Sequence, residues 1–202
     1  MVRGAFILFE GVDRSGKTTQ ASRLVQHLNA TGRPSVSLKC PDRTTATGTL
    51  LNSYLRREVE LNDVSVHLLF SANRWEMYAS LLKYLQDGVN VVMDRYVYSG
   101  VAFSACKRGM SLEWCMNADR GLLRPDVVLY LDVPDTRSRP GWGEERYETP
   151  EFQARVRDTF ARLIRTEYVN WCVVDASQSA DDVEVRVRDV VDALVLGDIG
   201  YI

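Results

Sequence analysis

The stretch Ala5-Phe-Ile-Leu-Phe-Glu-Gly11-Val-Asp-Arg-Ser-Gly16-Lys17-Thr18 decides the fold. Ala5 to Phe9 is an apolar run with aromatic and β-branched content and no period-2 alternation, which reads as a strand buried on both faces. Gly11 to Thr18 matches G-x-x-x-x-G-K-[ST]. A helix is predicted directly behind it, Gly16 to Asn29, because Ala21, Leu24, Val25 and Leu28 recur at helical spacing and Gly32 can stop it. Strand, glycine loop and helix, in that order, build a phosphate cradle. Gly11 and Gly16 let the backbone turn its N–H groups inward, and the helix N-terminus adds a positive dipole. In this pattern Lys17 reaches the β- and γ-phosphates and the Thr18 hydroxyl ligates Mg²⁺, while Arg14, Ser15 and Thr19 complete the nucleotide cradle. The loop implies ATP or GTP and does not name an acceptor.

Outward from this unit, short apolar runs alternate with amphipathic segments. A weak strand is expected at Ser35 to Lys39, followed by a loop from Cys40 to Gly48. Val66, Leu69, Phe70, Met77, Leu81, Leu82 and Leu85 predict one long helix from Asp63 to Gln86, capped by Asn62 or Asp63 and ended by Gly88. Val89 to Met93, Val127 to Val133 and Cys172 to Val174 read as further strands, with helices near Thr149 to Glu167 and Ala180 to Leu196. The order gives an α/β protein: a five-stranded, mostly parallel sheet flanked by helices on both faces, in one domain over residues 1–202. The polar segment from Asp135 to Pro150 holds Gly141, Gly143, Arg137, Arg139 and Arg146. It is either a lid over a ligand or a solvated connection.

Composition narrows the function. With 202 residues, 46% of them hydrophobic, the chain is long enough for one large core, which excludes disorder and disulfide-stapled miniproteins. Lys and Arg number 25 against 27 Asp and Glu, a net charge of −2, which argues against a binder that neutralises many nucleic-acid phosphates. Cys40, Cys106, Cys115 and Cys172 are widely spaced and fit neither a zinc site nor a disulfide framework. The apolar run before Glu10 is too short for a signal-peptide core, and no stretch reaches the length of a membrane span. A cytoplasmic protein with reduced thiols is expected.

Two further constellations bear on the acceptor. Asp94-Arg95-Tyr96 follows a predicted strand, so its side chains emerge at the carboxyl edge where ligands sit in such sheets. There Asp94 could hold the metal and Arg95 bridge phosphates as a fork donor, or the two could form a structural ion pair. Phe70 and Arg74 lie four residues apart on one helix face, able to stack a base and bond its edge. Read alone, burial statistics favour the plainer reading, Phe70 as ordinary core and Arg74 as a surface charge.

Taken together, Phe9-Glu-Gly-Val-Asp-Arg-Ser-Gly-Lys-Thr-Thr-Gln20, Pro41-Asp-Arg43, Leu69-Phe-Ser-Ala-Asn-Arg-Trp-Glu76, Asp94-Arg-Tyr96 with Ser99-Gly-Val-Ala-Phe103, and Glu145-Arg-Tyr-Glu148 resemble the thymidylate kinases over nearly the whole chain. The resemblance implies a P-loop nucleoside monophosphate kinase fold with a lid near residues 135–150. It also implies Mg²⁺-dependent phosphorylation of dTMP by ATP and a homodimer, with no nucleic-acid or membrane partner. By resemblance, Asp13 contacts the deoxyribose 3′-hydroxyl and Arg14 the transferring phosphate. Arg43 and Arg95 clamp the monophosphate, Phe70 stacks on thymine and Arg74 donates to a base carbonyl. Phe103, with Ser99 a turn before it, stands near the sugar and disfavours a 2′-hydroxyl, and Tyr147 is the lid tyrosine. Asp13, Arg14, Lys17, Asp94 and Arg95 are thus the expected catalytic set, with Thr18 and Asp94 at the metal. Cys40 replaces an aromatic of the family, which is expected to loosen the acceptor pocket. One of Arg137 and Arg139 is expected at ATP and the other in solvent. Another nucleotide or nucleoside kinase is the alternative within enzymes. A nucleotide-holding switch is the alternative outside them, disfavoured by the lack of N-K-x-D.

Overall fold

The computed structural model describes residues 3–167 and 169–195. Five parallel strands form one sheet: β1 (Phe6–Glu10), β2 (Ser35–Lys39), β3 (Asn90–Asp94), β4 (Val127–Asp132) and β5 (Trp171–Asp175), in the spatial order β2-β3-β1-β4-β5. The helices are α1 (Lys17–Ala30), α2 (Ala46–Leu55), α3 (Asp63–Glu76), α4 (Tyr78–Gln86), α5 (Val97–Ala105), α6 (Leu112–Asn117), α7 (Pro150–Thr166) and α8 (Ala180–Val195).

The central strands are apolar without alternation because both their faces are covered. Ile7 and Phe9 of β1, with Ala5 just before it, share one core cluster with Leu24 and Leu28 of α1 and Val187 and Val191 of α8, while Phe6 and Leu8 share the other with Leu81 and Leu85 of α4, Val101 of α5 and Phe160 of α7. The split follows from handedness. The β1–β2 connection runs across the sheet in one direction and the later ones in the other, so right-handed crossovers put α1 on one face and α4, α5 and α7 on the opposite face. The chain therefore leaves adjacent β1 and β3 toward opposite faces, which opens a crevice at their carboxyl ends.

Three expectations are corrected. The predicted helix from Asp63 to Gln86 is two helices that part at Met77, whose N–H bonds to the Arg74 carbonyl, three residues back, at 3.2 Å. The turn tightens there, and Leu81 and Leu85 of α4 reach the sheet while α3 faces the crevice. The expected loop from Cys40 to Gly48 ends early: α2 starts at Ala46, with the Thr45 hydroxyl accepting from the Gly48 N–H at 3.1 Å. Helices α5 and α6 lie where none was expected. The predicted end of the last helix at Leu196 lies outside the described residues.

Leu24 is 1% exposed between α1 and the sheet. Leu24→Ala should cost about 2–5 kcal/mol, seen as a lower urea midpoint at unchanged slope. A loss below about 1 kcal/mol would contradict this packing.

Candidate active site

The crevice is a cavity of about 460 Å³ that gathers residues from the P-loop, the ends of β2 and β3, α3, α5 and the 135–150 loop. Of the residues expected from the sequence, Asp13, Arg14, Gly16, Lys17, Thr18, Thr19, Arg43, Phe70, Arg74, Asp94, Arg95, Ser99, Phe103 and Tyr147 line it, as does Arg139. Gly11 and Ser15 lie outside its lining. The Ser15 hydroxyl is 3.0 Å from the Lys17 ammonium, and Gly11 gives its carbonyl to Arg95 at 3.1 Å. Arg137 is exposed, paired with Asp135 at 2.7 Å.

The side chains are held by partners from other motifs and from outside them. The Arg95 backbone, in the left-handed region at φ 67°, turns the side chain back over the P-loop. One guanidinium nitrogen donates to Asp13 at 2.5 Å and the other to Ser99 at 3.1 Å. Asp13 also accepts from the Gln153 amide at 2.6 Å and gives its own N–H to the same side chain at 2.9 Å, tying the P-loop to α7. Arg14 is gripped by the 135–150 loop, with Nε on Glu148 at 2.7 Å and Nη1 on the Pro140 carbonyl at 2.5 Å. Arg43 donates to Glu145 of that loop at 2.7 Å. Arg146 bonds the Tyr54 and Val59 carbonyls and Glu60 outside the cavity, with its guanidinium 4.2 Å over the Tyr54 ring, so it anchors the loop to α2. Tyr147 is fastened by hydroxyl contacts to Tyr54 at 3.0 Å and to the Lys107 ammonium at 2.9 Å. The loop thus lies over the cavity as a lid.

Glu10, fully buried at the end of β1, was not expected as a site residue. It accepts the N–H groups of Tyr96 and Ser99 and the Ser99 hydroxyl, capping the start of α5, which lacks a cap of its own. Burial raises its pKa above the usual carboxylate value against these bonds. Glu10 and Glu148 stand inside the stretches quoted above, yet no local signal gives their roles or marks Gln153, because each partner is distant in sequence. Cys40 is buried against Met77, its sulfur 3.5 Å from the thioether, and lines the cavity beside Pro41 and Arg43.

Charge in the cradle is tuned by burial. The Lys17 ammonium, folded onto the Val12 carbonyl, is brought down to about 7 by desolvation and by the neighbouring Arg95 charge. Burial would raise Asp94, yet Lys17, Arg95, Lys39 and the Thr18 hydroxyl together hold it below the ordinary carboxylate range. Asp94 Oδ2 takes the Thr18 hydroxyl at 2.5 Å, while Oδ1 is buried with no hydrogen-bond partner. An ionised, unpaired oxygen beside a hydroxyl is a donor set for a hard divalent cation. Among the described residues there is no group of three His, Cys, Asp or Glu side chains placed to hold a metal, so an ion here would draw its remaining ligands from phosphate oxygens and water. Nor is any helix among them long and apolar enough to cross a membrane.

Comparison with known proteins agrees with this geometry. A family model described as thymidylate kinase matches residues 9–187. The chain is 47% identical over 195 residues to a thymidylate kinase of Danio rerio, covering 96% of this chain and 92% of the relative. It is 46% identical over 188 residues to one of Homo sapiens, covering 92% and 89%. The solved structure of a thymidylate kinase from Candida albicans superposes with a TM-score of 0.84 at 36% identity, covering 95% of this chain and 92% of that one.

With Lys17 near 7 in the free protein, a polyphosphate that favours the ammonium must draw a proton from solvent at pH 8. Calorimetry of ATP binding at pH 8 in buffers of different ionisation enthalpy should register uptake of most of one proton per site. Binding without uptake would contradict the buried, deprotonated lysine.

Proposed function

The chain belongs to the thymidylate kinase family and is a nucleoside monophosphate kinase, and from that premise we propose how its own residues carry out the reaction ATP + dTMP to ADP + dTDP. The observation that carries the reading is the meeting of Lys17 and Thr18 of the P-loop with Arg95, Phe70 and Arg74 in a single cavity. ATP lies along the P-loop with its phosphates on the backbone N–H groups and the N-terminus of α1. Arg139, which lines the cavity where Arg137 does not, contacts its adenine or phosphates. The dTMP base stacks on Phe70 and accepts from Arg74, its sugar lies by Asp13, Ser99 and Phe103, and Arg43 and Arg95 hold its phosphate under Tyr147.

A phosphate oxygen of dTMP attacks the γ-phosphorus as the bond to the bridging β–γ oxygen breaks and ADP leaves. That oxygen is already an adequate nucleophile, so no general base is needed and the work is positioning and charge neutralisation. Lys17 and Arg95 lie on either side of the transferring group. Arg14 joins them under the lid, an arginine role worth about 10³ to 10⁵ in rate, or about 4 to 7 kcal/mol. Thr18 and Asp94 would hold Mg²⁺, which when bound neutralises charge on the β- and γ-phosphate oxygens. The lid, latched through Arg14 to Glu148 and Arg43 to Glu145, excludes water and limits hydrolysis of ATP.

We place the protein in the cytoplasm as a homodimer, a setting that suits its four free cysteines. The dimer face is the exposed stripe of α3, where Val64, Leu68, Ala72 and Trp75 share one side of the helix.

Turnover with ATP across dTMP, dUMP, dGMP, dCMP and thymidine should be fastest with dTMP and absent with thymidine. Preference for another acceptor would overturn the reading. Arg14→Ala should lower kcat by at least about 10²-fold with little change in KM, and an unchanged kcat removes Arg14 from catalysis. Leu68→Glu should shift the sedimentation coefficient from dimer to monomer. A monomeric unaltered protein would refute the assembly.

A further inference from the structure

Behind the acceptor end of the cavity lies a buried polar cluster, three members of which, His67, Ser71 and Asp119, do not line it. His67, Ser71 and Arg74 share one buried side of α3. Arg74, 2% exposed, gives Nε and Nη2 to the two carboxylate oxygens of Asp119 at 3.0 and 2.6 Å, and Ser71 gives its hydroxyl to the same carboxylate at 2.7 Å. The guanidinium lies over α5 at Gly100, where a Cβ would come within 2.6 Å of Nη1, so only glycine leaves it room. One turn on, at Ser104, the hydroxyl sits 2.9 Å from His67 Nδ1, and His67 Nε2 is 3.1 Å from the Cys115 carbonyl.

The ring is fully buried, and desolvation, followed by the nearby Arg74 charge, keeps it below its ordinary pKa and neutral. Two backbone carbonyls face the ring, those of Gly100 and Cys115, and the one at hydrogen-bond distance is that of Cys115, 3.1 Å from Nε2. A carbonyl can only accept, which assigns the single ring proton to Nε2 and leaves Nδ1 to accept the Ser104 O–H. The Ser104 hydrogen therefore points back into the protein, and the oxygen offers the cavity lone pairs alone. Arg74, with Asp119 occupying Nε and Nη2, offers N–H donors alone.

We propose that His67 and Asp119 are positioning residues that fix a donor, Arg74, beside an acceptor, Ser104, so that the acceptor site selects a pyrimidine with a carbonyl at C4 and a hydrogen on N3 over one with a 4-amino group. This rests on the placement of the base at Phe70 and Arg74 argued above. A 4-oxo pyrimidine gives its carbonyl to the guanidinium and its N3–H to Ser104. A 4-amino pyrimidine sets an amino group against the guanidinium and a bare ring nitrogen against the Ser104 lone pairs, leaving buried groups unpaired on both sides. With the His67 acceptor gone, the Ser104 hydroxyl is free to turn its hydrogen to the cavity and serve that bare nitrogen.

The test is the ratio of kcat/KM for dTMP to that for dCMP, with dUMP as a second 4-oxo substrate. His67→Leu should lower the dTMP/dCMP ratio about tenfold or more, with the dTMP/dUMP ratio and kcat at saturating dTMP within about twofold of the starting protein. His67→Asn, whose Oδ1 can replace Nδ1 as acceptor, should restore the ratio. In a Ser104→Ala background, itself less discriminating, His67→Leu should have no further effect, since the two act as one unit. A folded His67→Leu protein that keeps the full dTMP/dCMP ratio overturns the proposal. If His67→Leu does not fold, Ser104→Ala decides: an unchanged ratio overturns it and a lowered one supports it. A starting protein that turns over neither dTMP nor dUMP fails the functional reading first, and the selectivity mechanism falls with it.

Discussion

At the carboxyl ends of β1 and β3 the chain departs toward opposite faces of the sheet, and the crevice so opened is where the protein's chemistry gathers. The crevice keeps its shape because Glu10, at the end of β1, reaches across and caps α5, which follows β3. One buried carboxylate thereby fixes the spacing between the P-loop on one side and Arg95 and Ser99 on the other. The glycine loop, the α1 dipole and the Arg95–Ser99 pair at the start of α5 can then act on one phosphate chain only because the sheet gives them a common edge.

Around that crevice, positive charge is stored in neutral pairs. The chain carries a net charge of −2, yet Arg14, Arg43, Arg74 and Arg95 converge on the cavity, each against a carboxylate: Glu148, Glu145, Asp119 and Asp13. The pairs serve two ends. Glu148 and Glu145 belong to the lid, so the arginines that await phosphate also hold the lid down. Asp119 and Asp13 are on the body of the protein and aim their arginines at base and phosphate. Lys17 is hydrogen-bonded to the Val12 carbonyl and the Ser15 hydroxyl instead, and burial with the Arg95 charge leaves it near 7 until phosphate supplies further counter-charge.

The parts of the fold legible in the sequence are those set by short-range pattern. Strands β1, β3 and β4 announce themselves as unbroken apolar runs because both faces are covered, α1 by helical period between Gly16 and Gly32, and α7 by helical period behind the Thr149 cap. What escaped depends on distant partners. Helix α5 has buried residues nearly all round and is capped by Glu10 from another strand, so its sequence shows neither a stripe nor a start signal. Helix α2 contains Gly48, which reads as a loop residue but is there because the Asp42 carbonyl would lie 1.7 Å from a Cβ. The same division holds in the site. The P-loop, Arg95, Phe70 and Arg74 were readable as motifs, whereas Gln153, Asp119, Glu148 and His67 act through contacts that only the folded chain creates.

The central claim is that donor and acceptor occupy one continuous cavity with their phosphates meeting at the P-loop. It is tested most directly by a single compound in which adenosine and thymidine are joined 5′ to 5′ through five phosphates. Titration calorimetry should show one molecule bound per chain, far more tightly than ATP or dTMP alone, and displaced by either nucleotide. Binding no tighter than ATP, or displacement by ATP alone, would mean that the two sites do not meet and would contradict the account.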